Sequence, residues 1–187
     1  MRVVRAIFGA LCGYLIFALT GVALGMVSPA FGQAGRRGGA AVAPVSSGQL
    51  TAATLPEALR AHVRDDRFDM VTSIRGFPLG VRSGLQSLFG TFDLDIAEPG
   101  AKFQETGTSV TPSLPIRRLV AGGCSTDHCL VHYERGGTAH TWHVAVFHWT
   151  PAATRFEWGG LSSGRLATID DIRKAVLSGA IKSSKEW

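Results

Sequence analysis

The residues able to do chemistry crowd into one stretch, Cys124 to Trp149, CSTDHCLVHYERGGTAHTWHVAVFHW, which holds two of the three cysteines and five of the six histidines. Cys124 and Cys129 enclose Ser125, Thr126, Asp127 and His128. In an oxidising compartment such a pair closes a local disulfide. A ring this small gains only roughly 2 kcal/mol from chain closure, so the bond shapes the loop more than it holds the fold. The rival reading, a metal-binding cysteine pair, is weak because CxxxxC alone is a poor zinc signature. A loop pinned at both ends loses little entropy on meeting a partner, which makes Ser125–His128 the expected binding loop.

The histidines offer a second kind of chemistry. Gly136-Gly137 lies between two β-prone runs, the pattern of a two-residue hairpin turn. That turn sets Tyr133 opposite His140, Val131 opposite Trp142 and Cys129 opposite Val144. By alternation, these residues share the more apolar face, and His128, His132 and His143 share the other. Three imidazoles converging from two strands would suit zinc, with a fourth position open. The alternative is three solvated strand histidines, and a slip of one residue in register would invert the faces.

Other constellations are thinner. Asp93 and Asp95 share a strand face, as a carboxylate pair or as ordinary solvated acids. Asp127 directly precedes His128, which is poor geometry for a catalytic pair on one loop. The Gly76–Gly80 loop lacks phosphate-loop spacing. The expectation is therefore a binding domain rather than an enzyme. No cofactor is called for unless the histidines take zinc. A metal-binding protein or metal-dependent enzyme built on His128, His132 and His143 is the alternative.

The elements that must position these groups begin after an export signal. Arg2 and Arg5 precede an apolar run from residue 6 to 27, and small residues follow Pro29, which reads as a secretory signal over residues 1–34. The run is also long enough to span a bilayer, so an uncleaved inner-membrane anchor, and with it a structural envelope role, is the other reading. Both send the remainder out of the cytoplasm, to the periplasm or beyond. Cleavage takes Arg2 and Arg5 from the 19 basic residues and leaves 17 against 14 acidic ones. From Thr51 onward the balance is 15 to 14. The basic pI therefore belongs mainly to the N-terminus and does not point to nucleic acid.

Residues 35–52 are rich in Gly, Ala and Ser and read as a flexible linker. A single domain over residues 53–187 should follow. Thr54-Leu55-Pro56-Glu57 opens a helix with Thr54 as cap, and the helix ends near Asp65–Arg67. His62 sits at the edge of its apolar stripe. Phe68–Ile74 fits either a short strand or more helix. Val81–Phe89 forms a second helix ended by Gly90. Strands are expected at Thr91–Ile96, Lys102–Thr108, Ile116–Ala121, on both sides of the glycine pair, and at Arg155–Gly159. Thr168 caps a last helix with Asp170 and Asp171 in its first turn. The fold class is α+β: an antiparallel sheet of about five strands with two or three packed helices.

The cysteine loop resembles that of the Ivy family of periplasmic lysozyme inhibitors, which carry C-x-x-H-D-C on an α+β domain. Here the spacing is the same and the acid and histidine are exchanged, Asp127-His128. The strand before the loop, the strands after it and Leu177-Ser178-Gly179 are also similar. The resemblance implies a loop that plugs a cell-wall hydrolase with a histidine, so an envelope protein or such a hydrolase is the expected partner. A domain this close to neutral is a poor electrostatic match for cationic lysozymes.

Overall fold

The structure, a computed structural model, describes residues 54–107 and 111–187. The expected signal segment and linker lie outside the described residues. No helix among the described residues is long and apolar enough to cross a membrane.

Five antiparallel strands lie in sequence order: β1 (Asp69–Met70), β2 (Arg117–Cys124), β3 (His128–Arg135), β4 (Thr141–Trp149) and β5 (Thr154–Ser162). Three helices complete the α+β fold: α1 (Glu57–Asp65), α2 (Leu79–Phe89) and α3 (Ile169–Leu177). The two faces of the sheet have separate cores. Val81, Leu85 and Phe89, one stripe of α2, pack with Leu119, Val131, Tyr133, Ala145 and Phe147. Leu59 and Val63 of α1 with Ile172 and Val176 of α3 pack on Leu130, Val144, Val146 and Trp158. Residues 144–147 thus alternate between two buried faces, which is why they read as a continuous apolar run. Gly84 brings α2 close: a Cβ there would stand 2.8 Å from a Phe147 ring carbon.

The helix boundaries follow local chemistry. Thr168 and Asp171 form a capping box at α3. Gly90, at φ 65°, ends α2 in the left-handed region. Helix α1 starts later than expected, after Pro56 and without a side-chain cap, so Thr54 does not cap it. Instead the Thr54 carbonyl accepts from the indole of Trp158 at 3.0 Å. Arg173 donates to the Val63 carbonyl at 2.8 Å and Arg60 to that of Leu177 at 2.9 Å, so each helix satisfies carbonyls at the other's end.

The expected strands at Thr91–Ile96 and Lys102–Thr108 do not form. Just past the first region Ala97 makes a single bridge to Arg118, and residues 102–107 have no regular structure. The segment makes side-chain bonds instead. Asp95 accepts from the Ile116 N–H at 3.0 Å and pairs with buried Arg117 at 2.7 Å, so it is no half of a carboxylate pair with Asp93. Phe68–Ile74 contains the two-residue β1, and a 3-10 turn follows at Ile74–Gly76.

The β3–β4 connection is longer than the glycine pair suggests. Arg135 pairs with Thr141, Tyr133 with His143, Val131 with Ala145 and Cys129 with Phe147, which leaves residues 136–140 as the loop. Relative to a two-residue turn the register moves by three, an odd number, so every β4 side chain changes face. At β5, residues 160–162 turn their outer edge to the chain that follows α3. Leu161 N–H donates to the Lys182 carbonyl at 2.7 Å, and Lys182 N–H to the Leu161 carbonyl at 2.9 Å.

Candidate metal centre

The Cys124–Cys129 disulfide is present, joining residues that also pair across β2 and β3. Two more bonds tighten the loop it closes. Ser125 N–H donates to the His128 carbonyl at 2.7 Å, and His128 N–H to Ser125 Oγ at 3.1 Å. Trp149 N–H donates to the Asp127 carbonyl at 2.8 Å and ties the loop to the end of β4. Thr126 is exposed, Ser125 and Asp127 are half-buried, and His128 is only 3% exposed. Its ring turns inward, toward helix α1.

What His128 meets is helix α1. His62 and Asp66 lie four residues apart, on one face of successive turns. Asp66 is the residue on which the helix stops, its backbone already extended. His62 Nδ1 reaches Asp66 Oδ2 at 3.2 Å, and Ser125 Oγ donates to the same oxygen at 3.2 Å. His128 Nδ1 lies 2.8 Å from Asp127 Oδ1 and 3.9 Å from Asp66 Oδ2. The two imidazoles overlap with ring centres 4.3 Å apart. One donor atom each from His62, Asp66, Asp127 and His128 fall within 4.8 Å of one another. Among the described residues this is the one such group.

The surroundings complete the arrangement. His128 Nε2 lies 3.3 Å from Glu157 Oε2, so the ring has a carboxylate on each side. His148 meets it edge-on, with centres 5.3 Å apart. A cleft of about 490 Å³ opens past His148, Arg155 and Glu157. Burial disfavours charge on Asp127. The hydrogen bond and charge of His128, with His62 and His148 beyond, outweigh that and hold the carboxyl below the usual carboxylate range.

The cluster expected from the sequence, His128 with His132 and His143, does not assemble. The odd register change sends His143 to the α2 face, where it stacks on Tyr133 at 5.0 Å and 3°. His132 stays on the other face and serves the backbone. Its Nδ1 donates to the His143 carbonyl at 2.8 Å, and its Nε2 accepts the Leu166 N–H at 3.0 Å. Burial keeps His132 neutral, its pKa pushed down to about 4. His143 is pushed down to about 3 by burial, then by Arg135 and Arg117.

Sequence reasoning placed His128 at a site and passed over His62, Asp66 and Glu157. The i, i+4 spacing of His62 and Asp66 was a readable signal, since it puts an imidazole and a carboxylate side by side on a helix. Its meeting with the disulfide loop, 59 residues on at Ser125, is a long-range event that no local pattern encodes. No protein-family model matches the chain, and no curated protein or solved structure matches it either.

Proposed function

We propose that this chain is an exported envelope domain that holds a divalent transition-metal ion, zinc by preference, between helix α1 and the disulfide loop. The observation that carries the reading is the convergence of His62, Asp66, Asp127 and His128 within 4.8 Å. Two imidazoles and two carboxylates are donors that zinc accepts at about 2.0–2.2 Å. Tetrahedral geometry at those lengths puts ligand atoms about 3.4 Å apart. The contacts of 2.8, 3.2 and 3.9 Å bracket that value. A metal on His128 Nδ1 leaves the ring proton on Nε2, facing Glu157, the carboxylate–histidine pairing that orients ligands in such centres.

Four protein donors close a tetrahedral shell, whereas a catalytic zinc keeps one position for water. The reading is accordingly of a binding domain and not of a hydrolase. The loop is then a ligand carrier whose disulfide presets two of the four donors.

The test is calorimetric titration of the purified, oxidised, metal-stripped chain with zinc, with elemental analysis alongside. The expected result is one ion per chain. His62→Ala, Asp66→Asn and His128→Ala should each weaken it at least tenfold, and His148→Ala should matter less. No stoichiometric zinc, or variants that bind as well as the parent, would sink the reading.

A second reading keeps the loop as a contact surface for an envelope protein such as a cell-wall hydrolase. It rests on the exposure of Thr126 at the loop's tip. Capture of one envelope protein by the parent and not by Thr126→Arg, unaffected by chelator, would favour it over the metal.

A further inference from the structure

A cavity lies at the opposite end of the β3–β4 ladder. There the loop after β3, the start of β4, Leu161 of β5 and residues 183–186 enclose a cavity of about 850 Å³. That is a volume typical of small-molecule sites. Ile116, Ala139 and Leu161 give it apolar wall, and Arg135, His143 and Lys185 bring polar groups to it.

The polar groups are incompletely used. His143 is 1% exposed and lines the cavity. Its Nε2 is bound by Thr141 Oγ1 at 2.9 Å, and its Nδ1 has no partner among the described residues. The ring stays neutral over the physiological range, so Nδ1 offers one unmet donor or acceptor. Arg135 Nε is likewise buried and without a partner among the described residues. Buried polar atoms are nearly always paired, and two orphans on one cavity wall are what a site for a polar ligand leaves open.

Charge selects the ligand. Arg135 already binds a carboxylate here: Glu186 Oε2 lies 2.9 Å from its guanidinium, on a side chain 77% exposed. An exposed partner of that kind contributes little and is readily displaced. Arg135, Lys185 and Glu186 together leave one positive charge, which a monoanion neutralises. We infer that this cavity binds a small organic carboxylate with an apolar body. Its carboxylate replaces Glu186 on Arg135, and its body lies against Ile116, Ala139 and Leu161. His143 Nδ1 meets a polar substituent of the ligand. The site is independent of the metal centre.

The experiment is a titration of the purified full chain with 3-phenylpropionate, followed by calorimetry and by the NMR shifts of Leu161 and Ala139. Saturable binding is expected for the acid, at least tenfold weaker for the matching amide and for Arg135→Gln. Glu186→Gln, an exposed change that leaves the fold intact, should bind the acid several-fold more tightly because the competing carboxylate is gone. Leu161→Trp should fill the cavity and abolish the shifts. Equal binding of acid and amide, absence of saturable binding, or a Glu186→Gln variant no tighter than the parent would each overturn the inference.

Discussion

Acidification should unfold this domain through its two buried, neutral histidines, and His132 gives the clearest measure. Its ring is fully engaged as the neutral form, donating from Nδ1 to the His143 carbonyl and accepting the Leu166 N–H at Nε2. A second proton would sit on Nε2 and face that N–H, donor against donor. Burial holds the ring at about 4 against the usual 6.5. Because the folded value is the lower one, the unfolded chain takes up its proton first. Stability is fully present above about pH 6.5 and is lost as pH falls toward 4. The 2.5-unit gap is worth about 3 kcal/mol by pH 4. His143, held at about 3, adds a loss of similar size over the same window. Together they amount to about 6 kcal/mol, against a total of about 5–15 kcal/mol for a small domain. Urea unfolding followed by tryptophan fluorescence, from about pH 7.5 to 4.5 with chelator present and the disulfide intact, measures it. His132→Phe orphans a carbonyl and an N–H. It should lose about 3 kcal/mol at neutral pH and show a shallower pH slope, by one proton's worth. A stability flat across that range, or a His132→Phe slope equal to the parent's, would refute the reasoning.

Three further outcomes are expected. Cys124→Ser should cost about 2 kcal/mol in urea unfolding. The same change should weaken zinc binding, since Asp127 and His128 ride on the loop it opens. Thr168→Ala removes the cap on α3 and should cost about 1 kcal/mol, read as a shift of the urea midpoint without a change of slope. Gly136→Ala would set a Cβ 1.8 Å from the Gln104 carbonyl oxygen, and should lower stability by more than about 2 kcal/mol in the same assay.

Much of the architecture was readable because it is written locally. The stripe Val81–Leu85–Phe89 with Gly90 after it, and Thr168 with Asp171, specify their helices within a few residues. The cysteine pair announced its loop by spacing. The glycine pair misled because its two residues serve different ends. Gly137 does adopt a positive φ, 107°, as a turn glycine should. Gly136 is needed for the approach of the Gln104 backbone, and its N–H donates to the Ile116 carbonyl at 2.8 Å. The loop length is therefore set by a segment some thirty residues upstream, and that segment decided which way His143 points. The candidate centre was half legible for the same reason. Asp127 and His128 were marked by the disulfide, while His62 and Asp66 join them only because Leu59 and Val63 seat α1 on the far face of the sheet.

The outer margins of the sheet bear on how folded chains stay apart from one another. A sheet's flanks are templates for other strands, and an exposed ladder invites addition of a second chain. One flank here is a strand of two residues, too short to recruit anything. On the other, the Leu161–Lys182 bridge occupies ladder groups of β5 that a foreign strand would need, and it holds them in the chain's own grip. Gly160 is what permits that closure, since a Cβ there would lie 2.0 Å from the Lys182 carbonyl oxygen. Substituting it would open the margin of the sheet. The first symptom would be concentration-dependent association of chains that are still folded.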